Sequence, residues 1–326
     1  MKRNILLLFT FFACITVQGQ TPVRLVDLRS EHLDRPIGLD NPVPRLSWRM
    51  EDGRQGAVQT SWRIVVDEDS LNVVNGCGRM WDSGKNDSRN QLVAYAGKKL
   101  QPFTRYYWKV ICSDMEYKET ASPVSYFETG MMGMQHWQGA WIGDGKDIHY
   151  GPAPYFRKEF KTGKKVKSAR AYIAAAGLYE LYINGEKIGD HCLAPLYTRF
   201  DRRNLYVAYD VTSQLQNGDN AIGVLLGNGW YNHQSKAVWD FDRAPWRNRP
   251  TFCLDLRITY TDGSVETIPT DLSWRTASGA ITFNSIYTGE HYDARLEQKG
   301  WSTPEFDDSK WRGVAYRSVP SSSLTA

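Results

Sequence analysis

The sequence predicts an all-β protein made of two β-sandwiches in succession, the second larger than the first. Three observations carry this. Short segments of alternating apolar and polar residues recur along the chain and are separated by turn residues. Tryptophan and tyrosine are abundant, at 12 and 18 of 326 residues, and aromatic side chains favour strands. No amphipathic stretch is long enough to build a helical domain.

The first twenty residues read as a targeting segment. Lys2 and Arg3 supply positive charge, and the apolar run from Ile5 to Ile15 is too short to span a bilayer. Val17 and Gly19 are small enough for the −3 and −1 positions of a cleavage site, which predicts a signal peptide over residues 1–19. Phe12-Ala13-Cys14 offers an alternative, a lipoprotein anchored through Cys14. Either route exports the chain to a periplasmic or extracellular location. No later stretch reads as a transmembrane segment. The net charge of +4 is dispersed, so no nucleic-acid arm is expected.

Residues 22–130 hold the first predicted sandwich. Arg45-Leu-Ser-Trp-Arg-Met, Ser61-Trp-Arg-Ile-Val-Val, Arg105-Tyr-Tyr-Trp-Lys-Val and Ser125-Tyr-Phe-Glu-Thr alternate at about period two. Asp52-Gly53 and Asn75-Gly76 are turn signals between them. One early tryptophan and a late Tyr-x-Trp in about a hundred residues resemble a fibronectin type III domain, with Trp48 and Trp108 as core. Gly130-Met-Met-Gly-Met reads as a hinge.

Residues 136–318 form the second, a jelly-roll sandwich. Its most patterned stretch runs from Ala169 to Tyr231, with Asn184-Gly185 suited to a two-residue type I′ turn, because both central positions need positive φ. Asp210 to Gly218 is helix-like but short. Phe252 to Tyr260 followed by Thr261-Asp-Gly-Ser reads as a strand and turn. Cys77, Cys112, Cys192 and Cys253 are widely spaced without a Cys-x-x-Cys pair, so buried free thiols are expected rather than a zinc site or disulfides.

Asn228, Gly229 and Trp230 are the foremost site candidates. An asparagine amide pairs with vicinal hydroxyls, glycine allows close approach and an indole stacks on a pyranose; the competing reading is a strand-end turn around a core tryptophan. Asn184 carries the same duality, sugar contact or turn residue. Trp239 and Trp246 lie in a loop that mixes charges with indoles, either a stacking surface or core. Asp240 and Asp242, with Asn228, are the hard oxygen donors a calcium ion would want, although Asp240-Phe-Asp242 lacks a complete ligand loop. Glu290 and Asp293 mimic an acid–base pair, but residues three apart on a strand face opposite ways and Arg295 offers Asp293 an ion pair. No nucleophile elbow, phosphate loop or His-Glu-x-x-His is present.

The run Gly177-Leu-Tyr-Glu-Leu-Tyr-Ile-Asn-Gly-Glu-Lys-Ile-Gly, with Leu193-Ala-Pro, Tyr206-x-x-Tyr-Asp-Val-Thr, Gly218-x-Asn and Leu226-Gly-Asn-Gly-Trp-Tyr, resembles the N-terminal jelly-roll domain of bacterial alpha-L-rhamnosidases of glycoside hydrolase family 78. Tyr287-Thr-Gly-Glu-His-Tyr-Asp-Ala-Arg and Gly300-Trp-x-x-Pro-x-Phe-Asp-Asp-Ser-x-Trp match the end of that domain, and Asn41-Pro-x-Pro-Arg-Leu-Ser-Trp its fibronectin-like opening. The likeness spans Val23 to Val314. It implies an exported glycosidase that removes terminal alpha-L-rhamnose from glycans with inversion, using two separated carboxylates in an (α/α)₆ barrel. The sequence runs only to Ala326, so no catalytic residue can be carried over. The implied role is a sugar-binding accessory region, with rhamnose-containing glycans and the catalytic region as partners. No cofactor is implied, calcium being the one candidate. A free-standing rhamnose-binding lectin-like protein and a structural spacer are the alternatives.

Overall fold

The computed structural model describes residues 23–236 and 239–326. The predicted signal peptide and Cys14 lie outside the described residues. Strands dominate throughout, and the longest helix among the described residues is the five-residue Ser70–Val74. None is long and apolar enough to cross a membrane. The chain divides into two compact units. One comprises Arg45–Gly97, Tyr107–Ser125 and the described part of the segment ending at Asp34; the other comprises Arg35–Pro44, Lys98–Tyr106 and Tyr126–Ala326.

In the first unit a three-stranded sheet (Arg24–Ser30, Arg45–Glu51, Leu92–Ala94) faces a sheet centred on Ser61–Asp67 and Arg105–Ser113. Trp48, from the first sheet, meets Trp62, from the second, edge to face at 6.2 Å, and its indole N–H donates to Gln59 Oε1 at 2.8 Å. Trp48 and Trp108 are both buried, as their alternation demanded.

The second unit packs a six-stranded sheet against a seven-stranded one. The six-stranded sheet is built around Leu178–Ile183, Gly218–Gly227 and Pro154–Thr162; the other is built around Thr251–Tyr260, Val166–Ala176 and Asn204–Asp210. Leu181, Ile183, Ile222, Val224 and Phe156 from one sheet share a core with Ala171, Ile173, Phe252, Leu254 and Ile258 from the other. The alanine-rich stretch of Val166–Ala176 is buried on both faces. Ala171, Ile173 and Ala175 join this core, while Tyr172, Ala174 and Ala176 join a second cluster with Phe200, Tyr206, Tyr231 and Met131. A strand covered on both sides has no polar alternation, which explains its near-continuous apolar run.

Several local expectations change. The segment from Asp210 to Gly218 contains one 3₁₀ turn, Thr212–Gln214, with the Asp210 carboxylate accepting from the Thr212 N–H at 3.1 Å. The stretch read as a hinge is pinned: Met131 is buried, its N–H donates to the Tyr206 hydroxyl at 2.9 Å, and that hydroxyl donates to Asp40 at 2.6 Å. All four described cysteines are free, but only Cys112 and Cys253 are buried; Cys77 and Cys192 are exposed, because each lies in a loop rather than a strand.

Candidate functional site

Asn184 and Gly185 do form the two-residue turn, with φ of 50° and 86°, joining Leu178–Ile183 to Glu186–Lys187. The Asn184 amide is spent on the fold. Its Nδ2 donates to Gln214 O and Asn220 Oδ1, both at 2.8 Å, and its Oδ1 accepts from the Ala221 N–H at 2.8 Å. The turn reading of Asn184 therefore describes its geometry. Ile183 pairs with Ile222 and Leu178 with Gly227, so this turn lies at the opposite end of the strand from Asn228. At about 3.3 Å per residue the two ends are on the order of 15–20 Å apart.

Asn228 is 1% exposed. Its backbone N–H donates to Asn284 Oδ1 at 2.7 Å, its Nδ2 donates to Asn284 O at 2.9 Å, and its Oδ1 accepts from Asn232 Nδ2 at 3.0 Å. The amide expected to meet a sugar diol instead ties the strand end to the hairpin of Ile281–Ser285 and Gly289–Tyr292. Gly229 keeps the close-approach role. Its φ is 51°, and a Cβ there would lie 2.9 Å from the Leu178 side chain.

That tight turn delivers Trp230 to a surface. Its half-buried ring lies 5.0 Å from Phe241, 5.3 Å from Tyr287 and 6.0 Å from Tyr197. Tyr197 and Tyr287 are about half exposed, and Trp239, two residues before Phe241, is 74% exposed. Trp246 underpins the group by donating its indole N–H to Trp230 O at 3.3 Å and meeting Phe241 at 6.2 Å. Tyr197, Phe241 and Tyr287 were missed in the sequence, since they come from three separate loops and no spacing links them. Tyr287 does open a motif quoted above, where it carried only a family likeness.

Behind Trp230 lies a buried polar chain. His233 is 0% exposed, with its Nε2 3.1 Å from Ser235 Oγ, which is 3.3 Å from Ser285 Oγ. Burial pushes the imidazole below its ordinary range, against the opposing pull of Asp242. His233 Nδ1 and Asp242 Oδ1 are enclosed and lack a hydrogen-bond partner among the described residues. Asp240 is exposed, in the left-handed conformation at φ 52°. The Asn228 oxygen is committed to Asn232, and among the described residues no group of three or more His, Cys, Asp or Glu could hold a metal. Calcium takes about six to eight oxygens.

Beside Gly229 opens a cleft of about 570 Å³, lined among others by Leu178, Leu193, Leu225, Ile281, Asn284 and Glu290. Glu180, also in its wall, is opposed by burial, but Lys187 and the Tyr182 hydroxyl hold it below the usual carboxylate range. Asn284 Nδ2 is enclosed, with no partner among the described residues. Glu290 and Asp293 do not form a reacting pair. Asp293 accepts from the Arg295 backbone N–H at 3.1 Å and is ion-paired to its guanidinium at 2.6 Å.

Comparison with known proteins matches this architecture. Residues 164–326 fit the family model of the alpha-L-rhamnosidase N-terminal domain, and residues 25–133 fit that of the Rha78A-like N-terminal immunoglobulin domain. An alpha-L-rhamnosidase from Formosa agariphila is 33% identical over 345 aligned residues, covering 97% of this chain and 36% of that protein. The solved alpha-L-rhamnosidase of Dictyoglumus thermophilum superposes with a TM-score of 0.85 at 38% identity, over 93% of this chain and 35% of that one. The Streptomyces avermitilis enzyme, solved with L-rhamnose, gives 0.87 at 23% identity over 94% of this chain and 46% of that one, which speaks for the fold alone. The chain thus spans about a third of the length of the first two relatives. Two family models in tandem, on the two sandwiches and in this order, show that the chain belongs to the alpha-L-rhamnosidases of glycoside hydrolase family 78, corresponding to their N-terminal portion.

Proposed function

We propose that this chain is the exported, sugar-holding N-terminal region of an alpha-L-rhamnosidase, presenting rhamnose-containing glycans without cleaving them itself. One observation carries the reading: Trp230, Tyr197 and Tyr287 form an aromatic surface with Trp239 exposed beside it in sequence, next to a cleft whose floor includes Gly229. The C–H faces of a pyranose pack on such rings, and the amphipathic ends of tyrosine and tryptophan suit a wet interface. Asn228 and Asn184 act at one remove, Asn228 by fixing the turn that aims Trp230 and Asn184 by fixing the far end of the strand.

Calorimetry with L-rhamnose and with p-nitrophenyl alpha-L-rhamnoside tests this. Heat of binding at millimolar sugar is expected, at least tenfold weaker in Trp230→Ala, with no nitrophenol released above blank. Silence at millimolar sugar would remove the binding role, and turnover would place chemistry in this region.

A further inference from the structure

We infer that the cleft beside Gly229 is a subsite that reads the methyl-bearing end of a terminal 6-deoxyhexose. This rests on the sugar-holding role proposed above and adds the location and the discriminating contact. The cleft and the aromatic surface share two turns: Gly229 lines the cleft and Trp230 follows it, while Ile286 lines the cleft and Tyr287 follows it. A ring resting on Trp230 and Tyr287 therefore has its substituents next to the cleft mouth.

The wall there is largely aliphatic: Leu178, Leu193, Leu225, Ile281 and Ile286. Its polar groups are few. Glu180 is already paired with Lys187 and Tyr182, Tyr179 with Tyr209 and Ser285 with Ser235; Glu290 is exposed and can accept from a sugar hydroxyl, and the Asn284 Nδ2 is enclosed with no partner among the described residues. The cleft volume of about 570 Å³ lies within the range of small-ligand sites. Such a surface accepts a methyl group and one or two oriented hydroxyls. A hydroxymethyl group in the same place would bury a hydroxyl against leucine and isoleucine, losing its hydrogen bonds to water. Apolar sites reject an added hydroxyl by roughly a hundredfold at best.

L-mannose differs from L-rhamnose only in carrying a hydroxymethyl in place of the methyl, so the pair isolates this contact. Titration of the whole chain should show L-rhamnose binding roughly ten- to a hundredfold more tightly than L-mannose. Leu193→Trp fills the mouth from a side chain that is 66% exposed, so the fold should be kept; it should weaken L-rhamnose at least tenfold with an unchanged unfolding curve. Asn284→Asp keeps the oxygen that accepts from Asn228 and removes the N–H donors, and should also weaken L-rhamnose. If L-rhamnose and L-mannose bind equally and both variants bind as the parent does, the cleft plays no part, while binding on the aromatic surface stands. No binding of either sugar by the parent removes both proposals.

Discussion

At the scale of single residues, buried groups explain more than exposed ones. Asp255 is 2% exposed, and burial pushes its carboxyl up to about 6, although the backbone N–H groups of Gln138 and Gly139 each donate to it at 2.8 Å. A carboxyl with a raised folded pKa keeps its proton more tightly in the fold than in the unfolded chain. Its contribution is therefore most favourable below about pH 4 and is lost as pH rises through about 6. The difference in unfolding free energy between the parent and Asp255→Asn should shift by on the order of 2–3 kcal/mol across that window, the parent losing ground as pH rises. Urea titrations at pH 4 and pH 7 measure it, and a pH-independent difference would contradict the assignment.

At the scale of elements, the final segment of the second unit is held by one arginine. Arg157, on Pro154–Thr162, is fully enclosed. Its Nε and Nη2 donate to Trp301 O and Thr303 O at 2.9 Å each, and it is ion-paired with Glu159 and Asp308. The Gly300-Trp-x-x-Pro-x-Phe-Asp-Asp-Ser-x-Trp motif is thus a latch on the sheet: Trp301 also packs on Tyr155 at 4.7 Å. Glu159 and Asp308 reach solvent and can rehydrate, but the Trp301 and Thr303 carbonyls lose their donors, so Arg157→Ala should cost about 2–3 kcal/mol. Arg157→Lys keeps the charge but cannot reach the same set of acceptors, and should fall between the two. Urea midpoints at constant slope test this; a loss below about 1 kcal/mol would show that the latch holds by aromatic packing alone.

At the scale of the whole molecule, thiol accessibility gives a compact check on the fold. Burial pushes the Cys112 thiol up to about 12 and Cys253 well above its ordinary range, while Cys77 and Cys192 are exposed. Of these four, two should react promptly with a thiol reagent in the native protein, and the other two only on unfolding. Much of the architecture was legible because alternation and turn chemistry are local. Arg45-Leu-Ser-Trp announced a half-buried strand, and Asn184-Gly185 a hairpin. The site was less legible. Nothing local distinguishes an asparagine that faces a ligand from one that ties two loops together, so the sequence leaves Asn228 open between the two, and only the fold shows its amide bonded to Asn284 and Asn232. The aromatic surface escaped for the complementary reason, since Tyr197, Phe241 and Tyr287 meet only through the fold.

The Asn184-Gly185 turn also sets how this protein ages. An asparagine followed by glycine loses ammonia when the glycine nitrogen attacks the side-chain carbonyl, giving aspartate or isoaspartate. Three hydrogen bonds hold the Asn184 amide in place, to Gln214, Asn220 and Ala221. While they last, the carbonyl cannot swing to meet its attacker. Once the amide is gone, the new carboxylate faces the oxygens of Gln214 and Asn220 with no hydrogen to offer them. Deamidation here should therefore be slower in the folded chain than in any molecule that has opened at this corner, and once it has happened the lost amide leaves the corner less able to close again. Stored samples would carry a chemical record of how often the hairpin has come apart.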